Sequence, residues 1–134
     1  MIGSGAVTWS SRKQQSVALS TTEAELIAAS EAAKDVVWIS RVVAELNIDG
    51  SNQAKPKLFI DNVGTIKLIH NPEFHRRTKH IEIRHYFVRE RWEEGAVDVE
   101  HVSSEDQIAD IMTKALGPTI FDRLRSKLGM CDKC

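Results

Sequence analysis

Three acidic side chains lie at positions where a metal ion could be bound. Glu25 falls at the start of a long helical segment, Asp61 ends the short apolar run KLFID, and Asp110 lies early in a later helical segment. Open α/β sheets bind ligands at the carboxyl ends of their strands, and carboxylate oxygens are ligands for hard metal ions. By spacing alone, these residues form a weak constellation for metal binding.

Glu25 has two explanations, and the sequence leaves both open. On a helical wheel Glu25 is centred on the face that must pack, while Glu23 lies on the opposite, solvent-facing side. An unpaired buried carboxylate is costly, so Glu25 needs partners. One explanation is a capping box, made by Thr22 with Glu25 or by the overlapping Ser20 with Glu23. The other is a shared metal ion; the helix alone favours the cap.

The two aspartates also have simpler structural interpretations. Asp61 and Asn62 suit the N-cap of the helix that follows them. Asp110 points away from the apolar face of its own segment, which is typical of a solvated side chain. Neither aspartate predicts a metal site by itself.

A basic segment covers residues 74–91, with six Arg or Lys, two Glu and three His. This composition predicts a helix face that contacts nucleic-acid phosphates, with Tyr86 and Trp92 nearby for stacking. The alternative is a solvated helix face. The candidate phosphate-binding residues are Arg76, Arg77, Lys79, Arg84 and Arg89.

Apolar periodicity and turn residues predict an α/β fold that would position these side chains. Gly95 is expected to stop the second long helix, and Ser103 to cap the helix after it. The expected strands are 5–10, 55–61 and 96–102, and the expected helices are 22–47, 62–71, 77–95, 103–117 and 119–129.

Bulk properties predict one globular domain over 1–130 with a frayed tail at 131–134. The net charge of −1 gives no global attraction to nucleic acid or membrane, and no apolar run reaches membrane-spanning length. Cys131 and Cys134 are expected to be reduced thiols in the tail rather than a zinc or redox pair. The expected compartment is the cytoplasm or nucleus.

Four stretches together resemble the ribonuclease H domain of copia-type retrotransposon polyproteins: GAVTWSSRKQQSVALSTTEAELIAASEAAKD, LFIDN, FHRRTKHIEIRHYFVRE and EHVSSEDQIADIMTKAL. The resemblance implies cleavage of the RNA strand of RNA/DNA hybrids by two magnesium ions held by four carboxylates. The motifs match the second, third and fourth of these carboxylates to Glu25, Asp61 and Asp110. The resemblance therefore implies that these three residues are catalytic and bind the metal ions.

The first carboxylate of that family has no match in this sequence, and neither do the family's first two strands. We therefore expect an incomplete ribonuclease H-like fold, a small mixed sheet flanked by helices, with weakened or lost magnesium binding. The expected function is a catalytically defective module that binds protein or nucleic acid, and an active magnesium-dependent endonuclease is the alternative. Exposed strand edges predict a homo-oligomer or a protein partner.

Overall fold

The computed structural model describes residues 5–15, 17–46, 55–71 and 79–130, the side chains at 79–82 and 85 excepted. Within these ranges helices alternate with short strands, which confirms the α/β class. The elements are α1 (Thr21–Glu45), β1 (Lys57–Ile60), α2 (Val63–His70), α3 (Lys79–Glu93), β2 (Asp98–His101), a 3₁₀ helix (Ile108–Met112) and α4 (Pro118–Lys127).

The chain divides into two compact units. The sheet unit, Ala18–His101, holds α1, α2, α3 and both strands, and the terminal unit comprises Met1–Val17 and Val102–Cys134 with the 3₁₀ helix and α4. The single domain expected over 1–130 stays a prediction.

The described sheet has two parallel strands, β1 and β2, in which Leu58 lies beside Val99. Parallel strands need a crossover connection, and α2 and α3 supply it. Leu58, Ile60 and Val99 are buried on one face, while Phe59 on the other face is half exposed. Both strands end at the same edge of the sheet, and Asp61 follows β1 there.

The face of α1 that packs is defined by Leu26, Ala29 and Ala33, whose spacing of three and four residues aligns them along the helix. Burial of a leucine such as Leu26, which is 1% exposed, contributes about 1.5–3 kcal/mol. The small alanines let α1 lie close to its neighbours α2, α3 and β1. The rest of the buried cluster comprises Leu58, Ile60, Ile69, Val88, Val97 and Val99.

The strand predicted for 5–10 is wrong. Gly5 makes an isolated bridge, and residues 6–15 have no regular secondary structure. Val7 and Trp9 are 54% and 71% exposed. Alternation of apolar residues stabilises a strand only where neighbouring strands and a packed face exist, and this segment shows neither in the part of the chain that is described.

The helix predicted for 103–117 is also wrong, because only the 3₁₀ helix forms there. Ser103 does not cap a helix. Its hydroxyl donates to Oδ2 of Asp106 at 3.1 Å, a local bond of the kind that competes with helix formation. The backbone N–H of Asp110 then donates to the carbonyl of Gln107 at 3.2 Å, three residues back, as in a 3₁₀ turn.

Gly95 ends α3, as the sequence predicts, in a left-handed conformation with φ +71°. Its N–H donates to the carbonyl of Trp92, and the N–H of Ala96 donates to that of Arg91, both at 2.9 Å. These two bonds form a Schellman motif, which satisfies carbonyls that the helix end leaves open.

Asp106 joins the 103–107 loop to α4 in the terminal unit. Lys127 Nζ donates to Oδ1 of Asp106 at 2.7 Å, and Arg123 Nη1 lies 3.8 Å from the same oxygen. The hydrogen bond from Lys127, followed by that from Ser103, lowers the pKa of Asp106 below its ordinary value of 3.8.

We predict that Gly95→Ala lowers the free energy of unfolding by about 1–2 kcal/mol, because a Cβ is strained in the left-handed region. Gly5→Ala is the matched control, since a Cβ there would meet nothing within 4 Å. Denaturant unfolding measures both. An equal loss in the two variants would contradict a specific role for the left-handed cap.

A pH prediction follows from Asp106. Because its pKa is lowered in the folded protein, its stabilising contribution is present above the ordinary value of 3.8 and is lost as the pH falls through the lowered folded value. Asp106→Asn and Lys127→Met should each flatten the acid limb of a plot of unfolding free energy against pH, while Lys127→Arg should retain it. An unchanged acid limb in Asp106→Asn would refute this assignment.

Candidate functional site

The capping box at the start of α1 uses Ser20 and Glu23. The N–H of Glu23 donates to the Ser20 hydroxyl oxygen at 3.1 Å. In return, Oε2 of Glu23 accepts a 2.7 Å bond from the N–H of Leu19, one residue before the cap. Glu23 is buried, so its expected place on the solvent side is wrong. Of the two overlapping capping boxes, the one made by Ser20 and Glu23 forms, so Glu25 is not the acidic residue of the box.

Glu25 is half buried and lies at the border of the packed face of α1. The buried face is centred near Leu26 and Ala33, about 100° around the helix from Glu25. The expectation that Glu25 lies at the centre of this face is therefore wrong. A border position keeps the Glu25 carboxylate partly exposed to solvent.

Asp61 directly follows β1 and is half buried. The N-cap of α2 is Asn62, whose side-chain oxygen accepts a 3.0 Å bond from the N–H of Thr65. Because Asn62 is the cap residue, the interpretation of Asp61 as the cap is wrong. Asp61 thus keeps its place at the carboxyl edge of the sheet.

The first turn of α1 touches the start of α2. Thr65 is fully buried, and its hydroxyl donates to the backbone carbonyl of Thr22 at 3.2 Å. A Cβ at Gly64 would lie 3.1 Å from the Thr22 hydroxyl oxygen. Glu25, one turn after Thr22, and Asp61, just before α2, therefore lie on elements in direct contact.

The donor chemistry of these two residues fits magnesium. Both are carboxylates, the hard oxygen ligands that Mg²⁺ prefers, and both are partly exposed at one edge of the sheet unit. Within the described part of the chain, however, no three His, Cys, Asp or Glu side chains form a group that could hold a metal ion.

Asp110 lies in the terminal unit, in the 3₁₀ helix. Its side chain is only 14% exposed, and Lys114 Nζ donates to its Oδ2 at 2.7 Å. The expectation of a solvated Asp110 is therefore wrong. The Lys114 side chain is 53% exposed, so this ion pair compensates the charge of the carboxylate only in part, and the ammonium would compete with a metal ion for Oδ2.

The basic segment is described only in part. Arg76 and Arg77 lie outside the described residues, as does the side chain of Lys79. Arg84 is half buried. Arg89 is 19% exposed, and its Nε donates to Glu93 at 2.7 Å.

Further along α3, Arg91 pairs with both Glu90 and Glu94 and lies over the ring of Phe87. The hydrogen bond that Arg91 donates to Glu90 raises the pKa of Arg91. Trp92 stacks against His70, with ring centroids 4.3 Å apart. The end of α3 is thus occupied by internal contacts.

Other expectations concern the tail and membranes. Cys131 and Cys134 lie outside the described residues. None of the helices in the described ranges combines the length and apolar character needed to cross a membrane.

Three curated relatives match nearly the whole chain. The Retrovirus-related Pol polyprotein from transposon RE1 of Arabidopsis thaliana is 40% identical over 129 residues, 96% of this chain and 9% of the relative. That from transposon RE2 of the same plant is 39% identical with the same coverage. That from transposon TNT 1-94 of Nicotiana tabacum is 37% identical over 94% of this chain and 9% of its own length.

The chain is therefore related to one segment of the copia-type retrotransposon Pol polyproteins, and the resemblance to that family is confirmed. It spans 9% of the length of these relatives. A shorter match, 49% identical over 39 residues, is to Secreted RxLR effector protein 161 of Plasmopara viticola. No protein-family model and no solved structure matches the chain.

Sequence reasoning missed Thr65, which joins α1 to α2. Its residue type gave no signal, because a threonine in the first turn of a helix usually serves that helix alone. The spacing of Ser20 and Glu23 did indicate a capping box, but the helical wheel placed Glu23 on the solvent-facing side of α1.

We predict that Ser20→Ala lowers the free energy of unfolding by about 1 kcal/mol, because the N–H of Glu23 loses its acceptor. Thr22→Ala is the control for the competing box, since its backbone carbonyl is retained; we expect a change within about 0.5 kcal/mol. Chemical denaturation compares the two. A larger loss in Thr22→Ala would reverse the assignment of the cap.

Proposed function

We propose that this retrotransposon-derived chain is a binding module of ribonuclease H-like origin, and that residues 1–134 alone do not cleave RNA/DNA hybrids. The observation that carries the proposal is the ion pair between Lys114 and Asp110, with Nζ and Oδ2 2.7 Å apart. A carboxylate oxygen that already accepts a hydrogen bond from a lysine is less available to a magnesium ion.

The other two carboxylates that the resemblance implies as metal ligands are Glu25 and Asp61. Glu25 and Asp61 lie on contacting elements and would hold a single Mg²⁺ weakly. When bound, the ion supplies positive charge for a phosphate group at the carboxyl edge of the sheet. The first of the four carboxylates that the resemblance implies has no match within residues 1–134. Two-metal chemistry depends on two ions that stabilise both the attacking and the leaving oxygen of one phosphate.

The alternative function is an active magnesium-dependent ribonuclease H endonuclease. The contact between α1 and α2 favours it, because that contact brings together the elements carrying two of its expected ligands. This alternative requires Asp110 to exchange Lys114 for a metal ion.

Nucleic-acid binding would depend on the part of the basic segment that precedes Arg89, because the arginines at the end of α3 form ion pairs with glutamates. Arg89 is bonded to Glu93, so its charge is partly neutralised. Arg76, Arg77, Lys79 and Arg84 are therefore the main proposed phosphate contacts. A protein partner or a second copy at the strand edges also stays a proposal.

We predict that the 134-residue chain leaves the labelled RNA strand of an RNA/DNA duplex intact in the presence of Mg²⁺ or Mn²⁺. Asp61→Asn is the control for contaminating nuclease, and any trace of product should be the same with it. Strong cleavage by the unchanged chain that disappears in Asp61→Asn would establish the active alternative instead.

Binding to the same duplex should be independent of sequence and steeply dependent on salt. Replacing Arg76, Arg77 and Lys79 by alanine should reduce the slope of log K against log salt by about 2–3. The matched control removes three positive charges elsewhere, at Lys34, Arg41 and Lys67. Equal slopes for the two triple variants would favour the solvated-face interpretation.

A further inference from the structure

We propose that Trp9, Arg12 and Lys13 form a binding site for single-stranded nucleic acid. An unpaired base would stack on the indole ring of Trp9, and the two cations would contact the phosphates beside it. The site belongs to the terminal unit. It goes beyond the proposed function, because the phosphate contacts proposed there all belong to the sheet unit.

The indole ring of Trp9 is open to solvent, with an exposed fraction of 71%. Trp92, by comparison, is partly buried and stacks against His70. Residues 6–15 have no regular secondary structure, so the alternation of apolar residues around Trp9 serves no packed strand in the described part of the chain. Exposed tryptophans are enriched at binding surfaces, because the ring offers a large rigid face with one polar group.

Arg12 and Lys13 are adjacent, exposed cations, and neither forms an ion pair with another described residue. Many other cations of the chain do pair with carboxylates, namely Lys34, Lys57, Arg89, Lys114 and Lys127. The sequence also contains no acidic residue before Glu23. The positive charge next to Trp9 is therefore uncompensated within the described residues, and it would attract phosphate groups.

A hydrogen bond joins the middle of this segment to the 3₁₀ helix of the same unit. The hydroxyl of Ser11, which lies between Trp9 and Arg12 in the sequence, donates to the carbonyl of Met112 at 3.4 Å. The acidic side chain of that helix, Asp110, already pairs with Lys114. The segment is thus joined to a helix whose carboxylate has a cationic partner of its own.

Single-stranded nucleic acid fits this arrangement better than a duplex or a membrane does. In a duplex both faces of a base are stacked on its neighbours, so the ring of Trp9 would meet no open base face. Single strands offer open faces, and stacking on an aromatic ring beside positive charge binds them without regard to sequence. A membrane would leave the backbone N–H and C=O groups of a non-helical segment unsatisfied.

The experiment titrates the 134-residue chain into a fluorescently labelled oligothymidylate and follows fluorescence anisotropy. Trp9→Ala removes the ring, and Trp9→Phe retains an aromatic face. Trp38→Ala is the matched control, because Trp38 is another exposed tryptophan, 66% open to solvent on α1. Far-ultraviolet dichroism confirms that each variant keeps the helices of the unchanged chain.

A second pair of variants tests the cations over a range of salt concentrations. One variant replaces Arg12 and Lys13 by alanine. Its control replaces Lys34 and Arg41, which lie four residues before and three residues after Trp38 and so share its side of α1. Removing Arg12 and Lys13 should reduce the slope of log K against log salt by about 1–1.5, since each phosphate contact to a single strand contributes about 0.7.

We expect Trp9→Ala to weaken oligothymidylate binding about fivefold or more, with Trp9→Phe within about threefold and Trp38→Ala within about twofold of the unchanged chain. Equal loss in Trp9→Ala and Trp38→Ala overturns the proposal. Equal salt slopes in the two charge variants also overturn it, and this result does not depend on the folding of Trp9→Ala.

Three further outcomes would contradict the site. One is absence of oligothymidylate binding by the unchanged chain at low salt. Another is loss of binding on replacing Arg76, Arg77 and Lys79 by alanine, with Trp9→Ala unaffected, which would leave the proposed function in place. The third is binding to phosphatidylserine-containing vesicles that depends on Trp9 and is not accompanied by binding to the oligothymidylate, which would assign Trp9 to a membrane surface.

Discussion

The hydrogen bond from Thr65 to Thr22 joins two helix starts that are more than forty residues apart in the sequence. One helix carries Glu25, and the other begins just after Asp61. Because the Thr65 side chain is fully buried, a separate shift of the two segments would leave its hydroxyl without this acceptor, which costs about 1–3 kcal/mol. The edge of the sheet unit where these carboxylates lie is therefore set by a polar contact within the apolar packing.

The two units are stabilised in different ways. In the described part of the sheet unit, a contiguous apolar cluster packs α1 and α3 around β1 and β2. In the described part of the terminal unit the buried apolar side chains are Leu124 and Leu128, and Asp106 adds polar links from the 103–107 loop to α4. Asp110 belongs to this terminal unit, where Lys114 Nζ donates to its Oδ2 at 2.7 Å.

Elements with strong local signals could be predicted from the sequence. The helices α2, α3 and α4 form close to their expected limits, and Gly95 stops α3 because only its backbone tolerates that turn. The segments 5–10 and 103–117 could not be predicted, because the first lacks a packed neighbour and the second is diverted by Asp106. The residue types of the candidate site could be predicted from the sequence. Its arrangement was not, since the rotation of α1, the burial of Glu23 and the link through Thr65 all depend on tertiary packing.

The central proposal is that Glu25 and Asp61 bind magnesium while Asp110 pairs with Lys114. It is tested most directly by the Mg²⁺ dissociation constants of the 134-residue chain and its single variants Glu25→Gln, Asp61→Asn and Asp110→Asn. The account predicts weaker binding in the first two variants and unchanged binding in Asp110→Asn. Equal weakening in all three would contradict it, because Asp110 would then share the metal with the other two carboxylates.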